Sequence, residues 1–340
     1  MFGLSSRVWL PGLVASCLTL APALAQSKPP AAKPAPAAAA APAAAGLSLK
    51  EAKYAAIVAW LGANPKAADR AEGLGEAADL AAEIGKWGDA KGHAEAYGKD
   101  FAAGERSGEM KLMVGKALAN LPGRTADAKK AFTDAFEAAG DDVNAAVSAT
   151  SELVELLVGM DDKDGAEQAL HTLSERFAQV RGLKEFVQQK RAEVAEIGVE
   201  PKPIDVTAYD GKPLKLSALK GKVVLIDFWA TWCGPCVAEL PNVIAAYKKF
   251  HGQGFEIVGI SLDQDEQKLK DFLASHDMPW PQFFDGKGWQ NEIGQLYGVQ
   301  SIPKTYLLDR DGKVRRVGLR GEALGREVQK LLAAKAGAAK

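Results

Sequence analysis

Two cysteines three positions apart, Cys233 and Cys236, stand inside Trp232-Cys233-Gly234-Pro235-Cys236, where an apolar run meets a helical pattern. Thiols at that spacing can close a small ring at the start of a helix. The first sulfur lies near backbone N–H groups without intrahelical partners and near the positive end of the helix dipole, which favours its thiolate over the usual thiol pKa of about 8.5. Cys233 is the expected nucleophile. Cys236, one turn inward and less exposed, is placed to attack the mixed disulfide that Cys233 makes with a substrate, completing a two-electron exchange. Zinc is the competing use of such a pair, but it needs two more ligands. No other cysteine lies in this half, and His251 and His276 lack paired metal spacing. No cofactor or metal is expected beyond the redox-active Cys233–Cys236 pair, and His93, His171, His251 and His276 are assigned no role.

Such a site needs a rigid support, and the residues from about 201 onward carry the pattern of one. Residues 204–207 read as a short strand, Asp210-Gly211 as a turn, and 223–229 as a strand that is apolar throughout except for Asp227, as in a sheet buried on both faces. A helix over about 233–250 follows, then a strand over 255–262, a helix over 266–276, a strand near 282–284 and a helix near 292–297. Strands at 305–308 and 314–318 are joined through Asp311-Gly312, and a helix over 322–334 closes the series. This is an α/β layer fold.

The earlier half differs. Ser48-Leu49-Lys50-Glu51 matches a capping box, and Tyr54, Ile57, Val58 and Leu61 follow at helical spacing before Gly62. Asn64 and Pro65 read as N-cap and first residue of a helix through Leu74, Leu80 and Ile84, while Leu153, Leu156 and Leu157 precede Gly159. No strand pattern appears before about 198. The triplets Asp89-Ala90-Lys91, Asp127-Ala128-Lys129 and Gly165-Ala166-Glu167 recur at 38 residues, in the manner of degenerate tetratricopeptide-type repeats; coincidence in an alanine-rich bundle is the alternative. Repeats would offer a surface for a protein partner or for dimerisation, and a plain bundle would be a spacer.

Residues 1–25 carry Arg7, an apolar stretch over 8–20 and Ala23-Leu24-Ala25 before Gln26, the pattern of a secretory signal peptide. Val14-Ala15-Ser16-Cys17 resembles a lipobox, which makes lipoprotein processing at Cys17 the rival reading, although the apolar run continues past it. An uncleaved anchor is the third, weakened by Pro11, Gly12 and Pro22. All three place the chain in the periplasm or cell envelope. Cleavage after Ala25 leaves only Cys233 and Cys236, so the pair is redox-active rather than part of a disulfide framework. Residues 26–45, almost wholly alanine and proline, read as an extended linker. The organisation is then signal peptide 1–25, linker 26–45, helical domain 46–198 and α/β domain 199–340. With 42 Lys and Arg against 43 Asp and Glu, a net charge of -1 leaves no footprint for nucleic acid. The 47% hydrophobic and 25% charged composition excludes a wholly disordered chain and a polytopic membrane protein.

Residues 224–236, VLIDFWATWCGPC, resemble the active-site strand and loop of the thioredoxin superfamily. The stretch 201–334 further resembles its exported TlpA-like branch, through the additional strand and helix over 255–276, the GISLD run and the segment from Tyr297-Gly298-Val299 to Asp309-Arg310-Asp311-Gly312. The resemblance implies a thioredoxin-like domain with that strand-helix insert. Carried over residue by residue, it implies Cys233 as the attacking and Cys236 as the resolving cysteine, and Pro303 as the cis-proline facing the disulfide. Ile302 and Pro303 would dock an extended client beside Trp232, Gly234 and Pro235. It implies Asp227 as the buried acid that exchanges a proton with Cys236, its pKa raised by burial, and Glu239 as an acid sharing that task. Pro241 matches the proline that kinks the helix. The usual Ile-Pro-Thr reads Ile302-Pro303-Lys304 here; Lys304 is expected in solvent rather than biasing the choice of client.

The resulting expectation is an exported thiol-disulfide oxidoreductase acting on protein cysteines, a reductant or isomerase with a membrane electron donor. The Gly-Pro dipeptide resembles reducing members, with potentials near about -270 mV rather than about -120 mV. Two alternatives stand beside it. A thiol peroxidase would use one activated cysteine, but Thr231-Trp232-Cys233 lacks the Thr-x-x-Cys context. In a partner-binding scaffold, the helical half would carry the function and the redox domain would be secondary.

Overall fold

The computed structural model describes residues 48–334; the expected signal over 1–25, the linker over 26–45 and Cys17 lie outside the described residues. Helix α1 (Leu49–Ala63) opens on the anticipated capping box, with Ser48 Oγ accepting the Glu51 N–H and the Glu51 carboxylate accepting the Ser48 N–H at 2.7 Å. Two donors that the first turn leaves open are thereby satisfied. The helix runs through Gly62, which costs it about 1 kcal/mol relative to alanine without ending it. Asn64 and Pro65 do not start the next helix. Asn64 instead closes α1, donating its side-chain amide to the Trp60 carbonyl at 2.9 Å, and α2 (Arg70–Glu83) begins behind Asp69.

Six more helices follow: α3 (Trp87–Asp100), α4 (Ser107–Asn120), α5 (Thr125–Ala138), α6 (Val143–Gly159), α7 (Lys163–Arg176) and α8 (Leu183–Glu196), each packed on its predecessor. Helices α1, α3, α5 and α7 begin at a constant interval of 38 residues. Ala90, Ala128 and Ala166 occupy equivalent places near the starts of the last three and are wholly buried. A larger side chain there would force neighbouring helices apart.

The chain then forms a small antiparallel pair, β1 (Asp205–Thr207) and β2 (Pro213–Lys215), and a five-stranded sheet. Its strands in chain order are β3 (Val223–Trp229), β4 (Phe255–Ser261), β5 (Gln282–Phe283), β6 (Lys304–Leu308) and β7 (Val314–Val317). In space the order is β5-β4-β3-β6-β7, with β3 parallel to β4 and antiparallel to β6. Every residue of β3 and β4 is buried, which is why both read as largely apolar runs, interrupted only by Asp227 in β3 and by Glu256 and Ser261 in β4. Helix α9 (Gly234–Phe250) leaves the end of central β3 and packs against α12 (Glu322–Ala333), while α10 (Glu266–Ser275) and α11 (Glu292–Tyr297) bring Phe272 to Trp229 and Tyr297 to Phe228. Gly259 lies opposite Asp227 in β4; a Cβ there would run into the Gln282 side chain, which holds the Trp229 indole at 3.0 Å.

The helical and α/β parts are in close contact. After α8, Gly198 donates to the Val314 carbonyl at 2.7 Å, and Val314 donates to the Val199 carbonyl at 3.0 Å, covering the outer edge of β7. Leu157, Val194 and Ile197 share one buried cluster with Leu307, Val314 and Val317.

Candidate active site

From Trp229 the chain turns through Ala230, Thr231 and Trp232 into α9. Cys233 is the N-cap, and its Sγ accepts the Cys236 N–H at 3.2 Å, one of the open donors of the first turn. Pro235 occupies that same turn, where a missing N–H leaves nothing unpaired. The two sulfurs are joined as a disulfide. Cys233 and Cys236 are 5% and 3% exposed, so the expected contrast in accessibility is slight in this oxidised form, in which the bond draws Cys233 Sγ against the helix start. Trp232, Gly234 and Pro235 are exposed around it.

The Ile302–Pro303 bond is cis. Strand β6 starts at Lys304 opposite Phe228, so Pro303 enters the strand at the end of β3 from which the chain runs on to Cys233. Among the described residues the Ile302 amide and carbonyl make no backbone hydrogen bond. Lys304 is not in solvent as expected: its Nζ lies 3.1 Å from the Glu193 carboxylate and over the Tyr306 ring. Helix α8 covers this end of β6, a contact spanning 111 residues that no local pattern reveals.

Asp227 is buried in β3, paired with Gly259 on one side and Thr305 on the other. Burial pushes its carboxyl up to about 7; the Arg320 guanidinium opposes the rise and the Glu239 charge adds to it. Glu239, half-buried on α9, accepts the Gly321 N–H at 2.7 Å and the Asn242 amide at 3.3 Å. The two acids therefore lie in the field of one cation, whose own pKa is lowered by burial against the pull of Asp227, Glu239 and Glu193. Arg320 also donates to the Pro303 carbonyl, linking the acids to the cis-proline turn. Pro241 sits inside α9.

Sequence reasoning passed over four residues. Arg320 and Glu193 act through contacts distant in the chain. Asp263 ends the GISLD run already singled out, and its buried carboxylate gathers Thr231 and Ser261. Trp289 stands 6.0 Å from Trp232, and with Leu262, Gln264 and Lys287 they line an open cleft of about 510 Å³ beside the disulfide. Among the described residues there is no cluster of potential metal ligands, and no helix is long and apolar enough to cross a membrane. The arrangement can take up or give up two electrons as the Cys233–Cys236 bond opens or closes.

Residues 196–334 match the Redoxin family. The chain is 35% identical over 142 residues to a thiol-disulfide oxidoreductase, ResA, of Bacillus thuringiensis subsp. konkukian, covering 42% of this chain and 80% of that one. ResA of Bacillus subtilis (strain 168) is 36% identical over 108 residues, covering 32% and 59%. A solved thioredoxin domain of a thiol-disulfide oxidoreductase from Bacteroides vulgatus is 30% identical, with a TM-score of 0.38, covering 40% of this chain and 97% of that one.

Proposed function

This chain belongs to the family of thiol-disulfide oxidoreductases that includes ResA, and on that footing we propose that it reduces or isomerises protein disulfides outside the cytoplasm, recharged by a membrane electron donor. The observation that carries the reading is the Cys233–Cys236 disulfide at the start of α9, with Cys233 Sγ on the Cys236 N–H beside the open Ile302 edge.

In the forward direction the Cys233 thiolate attacks one sulfur of a client disulfide. A Cys233–client bond forms, and the other client sulfur leaves as thiolate. Cys236 then gives up its proton and attacks Cys233 Sγ, which releases the second client sulfur and closes Cys233–Cys236. The client gains two electrons, and an external dithiol, itself oxidised to a disulfide, supplies two more to reopen Cys233–Cys236. Asp227, assisted by Glu239, takes the Cys236 proton; Ile302, Pro303, Trp232, Gly234 and Pro235 hold the client. The chain itself supplies all these groups, and no cofactor enters the scheme.

The export pattern of 1–25, the linker over 26–45, and the division into a helical domain at 46–198 and a redox domain at 199–340 support an envelope protein whose folded part stands off from its anchor or leader. The 38-residue interval of helix starts supports a stack of helix pairs with a surface for a protein partner. Cys236→Ser tests the central claim. It should accumulate mixed disulfides through Cys233, released by dithiothreitol, and the trapped chains identify the clients. An empty trap in cells that express the folded variant removes the protein-disulfide reading.

A further inference from the structure

A carboxylate of the helical part, Glu193, pairs with the residue that follows the cis-proline, Lys304. Glu193 on α8 binds Lys190 of its own helix at 2.9 Å through Oε2 and Lys304 at 3.1 Å through Oε1. The carboxylate side chain is 13% exposed and that of Lys304 20%, so the pair is largely withdrawn from water, where removing one partner strands the other. Burial raises the Glu193 carboxyl, but the two lysines outweigh it and hold the group ionised, below its usual range. One turn further along α8, Glu196 accepts the Tyr306 hydroxyl at 3.5 Å. Glu193 and Glu196 share a helix face, and Lys304 and Tyr306 share a face of β6, so the two elements meet at matched spacing.

Lys304 follows Pro303 directly, and the Pro303 carbonyl accepts from Arg320, on which Glu193 also acts electrostatically. The turn is thus fixed by one group from each part of the molecule. We propose that Glu193 is a positioning residue for client docking: through Lys304 it sets the Ile302–Pro303 turn, making the helical region a working component of the redox site rather than a spacer beside it. Glu193 touches neither the sulfurs nor the client. The inference rests on the docking role given above to Ile302 and Pro303.

The test uses the full chain, with insulin as the disulfide substrate and dithiothreitol as the electron source. Glu193→Gln and Lys304→Met should each raise KM about fivefold with kcat held, and the double variant should be no worse than either single one, because both remove the same link. Lys304→Arg should return KM to near the parent value, and the midpoint potential of Cys233/Cys236 should stay unchanged in all of them. A merely stabilising contact would lower the melting temperature and leave KM alone. An unchanged KM in both single variants, strictly additive losses, or a fall in kcat alone overturns the proposal. Should the parent itself fail to reduce insulin, the functional reading falls separately. Amide hydrogen exchange over residues 299–307 then decides this inference, with faster exchange confined to that segment in both single variants upholding it and unchanged exchange ending it.

Discussion

Thr231 gives both of its donors to a single buried carboxylate: its hydroxyl lies 2.6 Å from Asp263 Oδ1 and its backbone N–H 3.1 Å from Oδ2. Ser261 adds a third donor at 2.8 Å. The turn that leads into Cys233 is therefore fastened to the end of β4. Asp263→Ala would leave these donors buried without an acceptor, at a cost of about 3 kcal/mol in urea unfolding. Insulin reduction by the folded variant should fall about tenfold as the turn loosens. Asp263→Asn, which keeps a carbonyl acceptor, should lose less on both counts. A variant as stable as the parent would mean that the turn is held by other contacts.

Local sequence encodes some parts of this molecule and is silent on others. Strand β3 was legible because burial on both faces demands a run that is apolar but for Asp227, and α9 because Gly234, Pro235 and the cysteines mark its start. An α/β layer behind a helical region followed from these and from the capping signals, and its thioredoxin-like form from the resemblance carried by residues 224–236. Asn64 and Pro65 misled because an asparagine ahead of a proline suits a helix start, whereas here the amide is consumed in closing α1. Lys304, Glu193 and Arg320 were illegible for a different reason. Their partners come from α8, β6 and the turn before α12, and a charged residue carries no local sign of the distant charge that will meet it. Trp289 belongs to the same class.

Trp232 and Trp289 are 53% and 43% exposed, unusual for large aromatic side chains that stand together beside a reactive disulfide. Their cleft suits a bulky apolar side chain flanking a client cysteine. Trp289→Ala should raise KM for insulin about tenfold and leave the kcat and Cys233/Cys236 potential in place. An unchanged KM would show that clients approach from another side.

Ala128 is wholly buried near the start of α5, as Ala90 and Ala166 are in α3 and α7. Ala128→Leu inserts three carbons where the adjoining helices leave no room, and unfolding should register a loss of about 2 kcal/mol. Ala126→Leu, at an exposed position of the same helix, should stay within about 0.5 kcal/mol of the parent. Equal effects at the two positions would mean that the helices part readily, contrary to packing built on small residues.

Asp227 links stability to chemistry. Its carboxyl releases a proton near about 7 in the folded chain, against an ordinary value near 3.8, because burial disfavours the charge. Between those values the folded chain binds more protons than the unfolded one, so this group makes stability decline as pH rises from about 4 to about 7. Asp227→Asn removes the decline, and the gap between the two stability curves should widen across that window by on the order of 4 kcal/mol, then remain constant above it. Catalysis moves the opposite way. In the proposed scheme, resolution of the mixed disulfide needs a base for the Cys236 proton, and Asp227 could serve as that base only once ionised. Stopped-flow release of a client thiol should accelerate through an inflection near pH 7 in the parent. In Asp227→Asn the inflection should vanish, with the rate at neutral pH about 100-fold lower. A variant that kept the inflection would shift the proton-accepting role to another group, Glu239 being next in the field of Arg320.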